Sequence, residues 1–232
     1  MKLLLNMRFF ENIYIISGFV NSYLIERDTY CILIDAGMSK KAKKIIQALK
    51  EQFPSKPLKA IFVTHAHQDH TAGLKTLVEL YNSEVISHKK ERSYIMKTEE
   101  FPTRGGLSGF LFKLLDKIVA IPACNVDKVV EDNEIIHGLK VLHLPGHTLG
   151  TIALEDIETQ ALFCNDIINT NKEGTKILPP EKNYALDYEQ AIKSSIKMFQ
   201  TTKPKVILPG HGSPILEPEE SIKLYLGEYS KV

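Results

Sequence analysis

A chain of 232 residues with 44% apolar side chains has ample material for a buried core. Its 29 basic residues balance 28 acidic ones, for a net charge of +1, so no overall field argues for nucleic acid or an anionic membrane as partner. No apolar run approaches the roughly 18 residues of a membrane span, and Arg8 and Glu11 interrupt MKLLLNMRFFENIY before a signal-peptide core forms. The expectation is a cytoplasmic protein acting on a small-molecule substrate, with the oligomeric state left open, a homodimer included.

In chain order, IYIISG, FVNSYLIE and YCILIDAG are short β-branched and aromatic runs separated by turn residues, which predicts a meander of antiparallel strands. From Ser39 the period changes. SKKAKKIIQALKEQF places Ala42, Ile45, Ile46, Leu49 and Phe53 on one helical face, with Ser39 as the cap and the lysines turned to solvent. KAIFV at 59–63 reads as a buried strand and TAGLKTLVELY as a helix, so THAHQDH lies where a strand's C-terminal end enters a helix. EVISH is a further strand. Residues 89–119 read as helical and less regular, a lid-like insertion in a single domain spanning 1–232. Within it, Leu107, Phe110, Leu111, Leu114 and Leu115 follow helical spacing that suits core packing, whereas Gly105, Gly106, Gly109 and the off-stripe Phe112 and Ile118 suit a movable lid that receives an acyl group.

The second half repeats the theme. EIIHG, KVLHLPG, TIALED and ALFCNDI read as strands, DYEQAIKSSIKMFQ as a helix with Tyr188, Ile192, Ile196 and Phe199 inward, KVILPGHG as a strand ending in a turn, and PEESIKLYLGEY as a closing helix. Strands followed by a helix, twice over, predict two packed sheets with helices outside. Cys31, Cys124 and Cys164 are odd in number and far apart, in or beside apolar segments, which predicts reduced core thiols.

The chemistry concentrates in THAHQDH, with three histidines and an aspartate in six residues. In an extended segment alternate side chains share a side, so His65 and His67 can take one metal ion together while Asp69 and His70 continue toward the helix. Imidazole and carboxylate suit zinc, iron or manganese. A solvated polar loop, or Asp69 as a helix cap, is the plain alternative for the cluster alone. Three later strand ends each add a ligand-capable residue: His147 in LPGHTLG, Asp166 in LFCND and His211 in LPGHG. Either Pro-Gly-His is weak by itself, and together with the cluster they are strong. His143 lies an even offset from His147, which allows it to support the same site; the plainer reading is an ordinary surface or core histidine. His88 and His137 read as ordinary surface or core histidines.

THAHQDH, PGHT, the strand-end Asp166 and PGHG occur in the order seen in the metallo-β-lactamase-fold hydrolases, and over nearly its whole length the chain resembles that superfamily, in particular its stand-alone glyoxalase II and lactonase-like branch. The resemblance implies an α/β fold, the αββα sandwich of two mixed sheets flanked by helices. It implies His65, His67 and His147 on a first metal, Asp69, His70 and His211 on a second, and Asp166 bridging them, with Asp35 of ILIDAG a supporting acid. Cys-Asn precedes Asp166 where many relatives have glycine. Two divalent ions are implied, zinc first, with iron or manganese as alternatives. The activity implied is a binuclear metal-dependent hydrolase of a small ester, thioester or lactone, in which a metal-bridging hydroxide attacks the carbonyl and catalytic Asp69 carries a proton toward the leaving group. Only Gly212 to Val232 follow His211, which points to a stand-alone hydrolase without a helical substrate domain. The alternatives are β-lactam hydrolysis, an iron-dependent persulfide dioxygenase-like oxidoreductase, and a catalytically silent metal-stabilised binding module.

Overall fold

The early β-branched runs pair in sequence order. β1 (Arg8–Phe10), β2 (Ile13–Ile16), β3 (Ser22–Glu26) and β4 (Cys31–Ile34) are antiparallel neighbours. From β4 onward, β5 (Leu58–Val63), β6 (Glu84–His88) and β7 (Lys128–Val130) extend the same sheet in parallel. The parallel half needs crossovers: α1 (Lys43–Gln52) lies in the connection from β4 to β5, and α2 (Gln68–Thr71) and α3 (Leu74–Tyr81) in that from β5 to β6. A second sheet has the order β15-β14-β11-β10-β9-β8, built from β8 (Ile135–Ile136), β9 (Leu139–His143), β10 (Ile152–Asp156), β11 (Ala161–Asn165), β14 (Val206–Pro209) and β15 (Ile215–Leu216). Within it β11 and β14 run parallel and the other neighbours antiparallel. This computed structural model describes residues 8–102 and 121–230. Of the lid-like insertion expected over 89–119, only the part to residue 102, with α4 (Arg92–Ile95), is described; the glycines and apolar stripe of 103–119 lie outside the described residues.

The period-2 alternation of the strands sorts side chains into three apolar layers. Ile25, Ile32, Ile34, Phe62 and Ile86 of the first sheet meet Leu139, Val141, Leu154, Phe163 and Leu208 of the second, forming the layer between the sheets. The intervening residues face outward: Leu24, Leu33, Ile61 and Val63 pack on Ile45, Leu49, Leu74 and Leu77 of α1 and α3. On the other side Leu142, Leu162, Cys164 and Ile207 pack on α5 (Tyr188–Thr201) and α6 (Glu219–Tyr229). Helix, sheet, sheet, helix is the αββα sandwich expected. The middle layer is the most damaging to disturb, since truncating a fully buried Phe62 or Phe163 to alanine would cost about 3–5 kcal/mol. All three cysteines are free and buried, and burial pushes the Cys31 thiol up to about 12.

Three local expectations need correction. The first helix starts at Lys43, not after Ser39, because Ala42 takes φ 43, a left-handed turn that breaks the helical run. Ser39 instead accepts the Ala42 N–H through its carbonyl. The helix after the histidine cluster is split into α2 and α3 at Ala72–Gly73, where a Cβ on Gly73 would collide with the Ala36 carbonyl, so this turn sits directly on the loop leaving β4. On α5 the buried face carries Ser194 and Ser195 while Tyr188 and Ile196 are half-buried. Both serine hydroxyls are satisfied, Ser194 donating to Pro145 O at 2.6 Å and Ser195 pairing with Tyr225 OH at 2.7 Å, so their burial leaves no hydroxyl unpaired. A short hairpin, β12 (Asn169–Thr170) with β13 (Ile177–Leu178), was not expected.

Candidate metal centre

The ligand candidates arrive at one end of both sheets because each follows the end of a strand. β5 leads into His65, His67, Asp69 and His70; β11 leads into Asp166; β14 leads into His211; the β9–β10 turn carries His147. The β9–β10 turn is fastened to α5: Ser194 holds Pro145, and the N–H groups of Asp187 and Leu186 donate to the carbonyls of Gly146 and His147 at 2.8 and 3.0 Å. Asp187 also caps α5, accepting from Gln190 N at 3.0 Å. The His211 turn is fastened to the β2–β3 loop, whose Asn21 N donates to Gly210 O at 2.8 Å, and to β3, whose Tyr23 OH donates to Pro209 O at 2.6 Å. Gly210 admits no side chain, since a Cβ there would collide with Asp166 Oδ1. Asn165 takes φ 40, a conformation that glycine adopts freely and asparagine tolerates, so Cys-Asn makes the same kind of turn before Asp166 as glycine would.

All seven predicted residues meet in two groups that share Asp166, with the donor atoms of each group within 4.8 Å of one another. In the first, His67 Nδ1 lies 3.1 Å from His65 Nε2 and 3.0 Å from His147 Nε2, and Asp166 Oδ2 lies 3.6 Å from His147 Nε2 and 3.9 Å from His65 Nε2. In the second, His211 Nε2 stands 3.2 Å from Asp69 Oδ2 and 3.4 Å from Asp166 Oδ2, while His70 Nε2 stands 3.3 Å from Asp166 Oδ1. Convergent lone pairs at such distances call for protons or cations between them. The buried atoms left without a hydrogen-bond partner include His70 Nε2, His147 Nδ1 and Asp166 Oδ1, two of which point into the second group. Nitrogen and carboxylate donors, buried and convergent, fit divalent ions of borderline or hard character.

The surroundings orient these donors. Asp35, fully buried and itself at φ 59, receives Thr64 N at 2.9 Å and Thr64 Oγ1 at 2.8 Å, and pairs with His70 Nδ1 at 2.7 Å. That bond turns His70 Nε2 toward Asp166. The Phe19 carbonyl does the same for His211 through Nδ1 at 3.0 Å. Burial and neighbouring imidazoles hold His65 and His147 below the ordinary histidine range and His67 at about 3, so these rings are neutral. For His70 and His211 burial acts the same way but loses to the carboxylates: Asp166 and Asp35 hold His70 well above its usual value, and Asp166 with Asp69 pushes His211 up to about 10. Burial would raise Asp69 and Asp166, yet His70 and His211 hold both low.

Glu91 is a residue that the sequence did not single out. It is fully buried, and its carboxylate accepts from Ala66 N at 2.8 Å, Thr148 Oγ1 at 2.7 Å and Gly150 N at 2.6 Å. One side chain therefore joins the loop of His65 and His67 to the loop of His147. Burial raises its carboxyl pKa despite these donors. In the run HKKERSY nothing distinguishes it from a solvated glutamate; only tertiary burial does. His143 takes the plainer of its two readings: it stacks on His88 with ring centroids 3.9 Å apart and bonds Leu149 O instead of facing the ligand groups. A cleft of about 430 Å³ opens beside the two groups, lined by His67, Asp69, Asp166 and His211 together with Phe19, Met38, Asn169, Glu181 and Tyr184. Phe101, which begins the 101–119 stretch, has its ring 5.0 Å from that of His67. No helix among the described residues is long and apolar enough to cross a membrane.

A family model described as the metallo-beta-lactamase superfamily matches residues 16–211. The chain is 27% identical over 201 residues to the probable metallo-hydrolase YflN of Bacillus subtilis (strain 168), an alignment covering 79% of this chain and 76% of that protein. It is 24% identical over 229 residues to the acyl-coenzyme A thioesterase MBLAC2 of Homo sapiens, covering 88% of this chain and 75% of that one. Its fold is similar to the solved metallo-beta-lactamase family protein TTHA1429 from Thermus thermophilus, with a TM-score of 0.69 at 22% identity, over 95% of this chain and 80% of that one.

Proposed function

The chain belongs to the metallo-beta-lactamase superfamily and is a metal-dependent hydrolase, and from that premise we propose that it is a binuclear enzyme, zinc its first candidate metal, that cleaves a small thioester, ester or lactone. The observation that carries this reading is Asp166, whose Oδ2 faces His65 and His147 of the first group and His211 of the second, while its Oδ1 faces His70. One carboxylate thus serves two donor groups. His65, His67 and His147 would hold one ion, and Asp69, His70 and His211 the other. Divalent ions in such a pair supply Lewis acidity toward a carbonyl and a water nucleophile ionised near neutral pH.

The chain's own residues do the rest. Asp35 and the Phe19 carbonyl fix which nitrogen His70 and His211 present. Glu91 keeps the two histidine loops in register. Asp69, partly exposed at the cleft, would take a proton from the attacking water and pass it to the departing thiol or alcohol. The thioester preference draws support from the similarity to an acyl-coenzyme A thioesterase over most of the chain. The same reading treats residues 1–232 as one domain, since the two sheets share a single apolar layer. The test is a hydrolysis panel of lactones, thioesters, esters and β-lactams with metal-reconstituted protein. Turnover of thioesters, esters or lactones that a chelator abolishes is the expected result. Oxygen uptake with glutathione persulfide in place of hydrolysis would contradict the reading.

A further inference from the structure

The cleft beside the ligand groups has an apolar rim. Phe19, Met38 and Tyr184 are large apolar side chains left 71%, 47% and 57% exposed, and all three line it. Single exposed apolar residues need no explanation, but three converging on one concave site mark a surface kept for a ligand. Among the described residues no lysine or arginine lines this cleft, and Glu181 does. An acyl tail carrying a negative charge therefore finds repulsion at the rim and an uncharged tail finds contact.

Phe19 and Met38 also line a second cavity of about 280 Å³, between the β2–β3 loop and the stretch that enters α1. Ile16, Val20, Ala36, Ala42 and Ile45 contribute buried apolar side chains to it. Lys44, on one wall, donates from Nζ to the carbonyl of Ser17 on the other at 2.8 Å. The two cavities share this pair of exposed side chains as lining, and neither wall of the second offers a charged group besides Lys43 and Lys44.

Resting on the hydrolase reading above, we propose that this second cavity is the acyl-tail pocket of the enzyme. The carbonyl of an uncharged medium-chain acyl thioester or ester sits at the ligand groups, and its alkyl chain passes between Phe19 and Met38 to lie against Ile16, Val20 and Ile45. The energetic reason is burial of methylenes that would otherwise remain in water, each of which favours the longer chain.

The test is a series of thioesters on one leaving group, from acetyl to decanoyl, with the metal-reconstituted protein. kcat/KM should rise by about tenfold or more along the series. Ser39→Phe and Ser17→Phe fill the pocket from exposed positions on opposite walls, and each should lower the decanoyl-to-acetyl ratio by about tenfold. Binding is read separately. The chain has no tryptophan, so Phe19→Trp creates a single reporter, whose emission should move to shorter wavelength with decanoate and not with acetate. Hydrolysis without chain-length preference, or ratios unchanged in both filled variants, would overturn the pocket while leaving the hydrolase reading intact. A decanoate response without hydrolysis of any thioester would support the pocket and count against the hydrolase reading.

Discussion

The two donor groups share Asp166 and differ in almost every other respect. His65, His67 and His147 are buried imidazoles kept neutral by burial, and Glu91 ties together the loops that carry them. Asp69 and His211 are open to the cleft, with side chains 18% and 30% exposed, and with His70 they form a charged network of carboxylates and raised histidines. A set of neutral nitrogens can accept a cation without releasing protons. The second group must first give up the protons on His70 and His211. On the proposed reading, the contrast means that the first group would anchor an ion and the second would exchange contacts with solvent and substrate.

The largest effect expected is from Asp166→Ala, which removes the oxygen donors common to both groups. Metal analysis should find both ions lost and hydrolysis abolished; retention of two ions would break the shared-carboxylate account. Next, His211→Ala should lose one equivalent and keep the other. Wild-type protein should behave in the same order on acidification: because the metal-free pKa values of His70 and His211 lie above the ordinary range, protons compete for the second group first as pH falls, and the ion at the neutral first group leaves later. Simultaneous release of both ions in a pH titration would erase the contrast.

Smaller effects sharpen it. Asp69→Asn should lower kcat by about a hundredfold or more while KM changes little, the range for losing a positioned acid–base group. Unchanged turnover at unchanged metal content would remove Asp69 from the chemistry. Glu91→Gln keeps the shape of the side chain but turns one acceptor into a donor facing Ala66 N or the Thr148 and Gly150 donors. Chelator competition should show metal affinity at the first group reduced by roughly 10–100-fold, as for other groups that orient ligands. An equal loss at both groups would mean that Glu91 supports the fold generally.

Much of this architecture was legible in the sequence because its signals are local. Short continuous apolar runs in KAIFV and ALFC assigned buried strands whose two faces the structure fills with different layers. The ligand candidates sat at strand ends in short, unusual runs, and the fold brings those ends together. What escaped depended on distant partners. The start of α1 moved to Lys43 because Ala42 adopts a left-handed turn beneath Gly73. The inward face of α5 shifted because Ser194 and Ser195 found partners in the Pro145 carbonyl and the Tyr225 hydroxyl. The hairpin β12–β13 has strands of two residues, too short for any period to show. Glu91 looks like any surface glutamate until the loops of His65 and His147 close around it.

The most direct test of a two-ion hydrolase is a zinc titration of the metal-free protein, following hydrolysis of an acyl thioester against equivalents of metal bound. Activity should rise until two ions are bound per chain and then level off, with His211→Ala binding one ion and showing little turnover. Full activity at one equivalent, with no further gain from a second, would contradict the account.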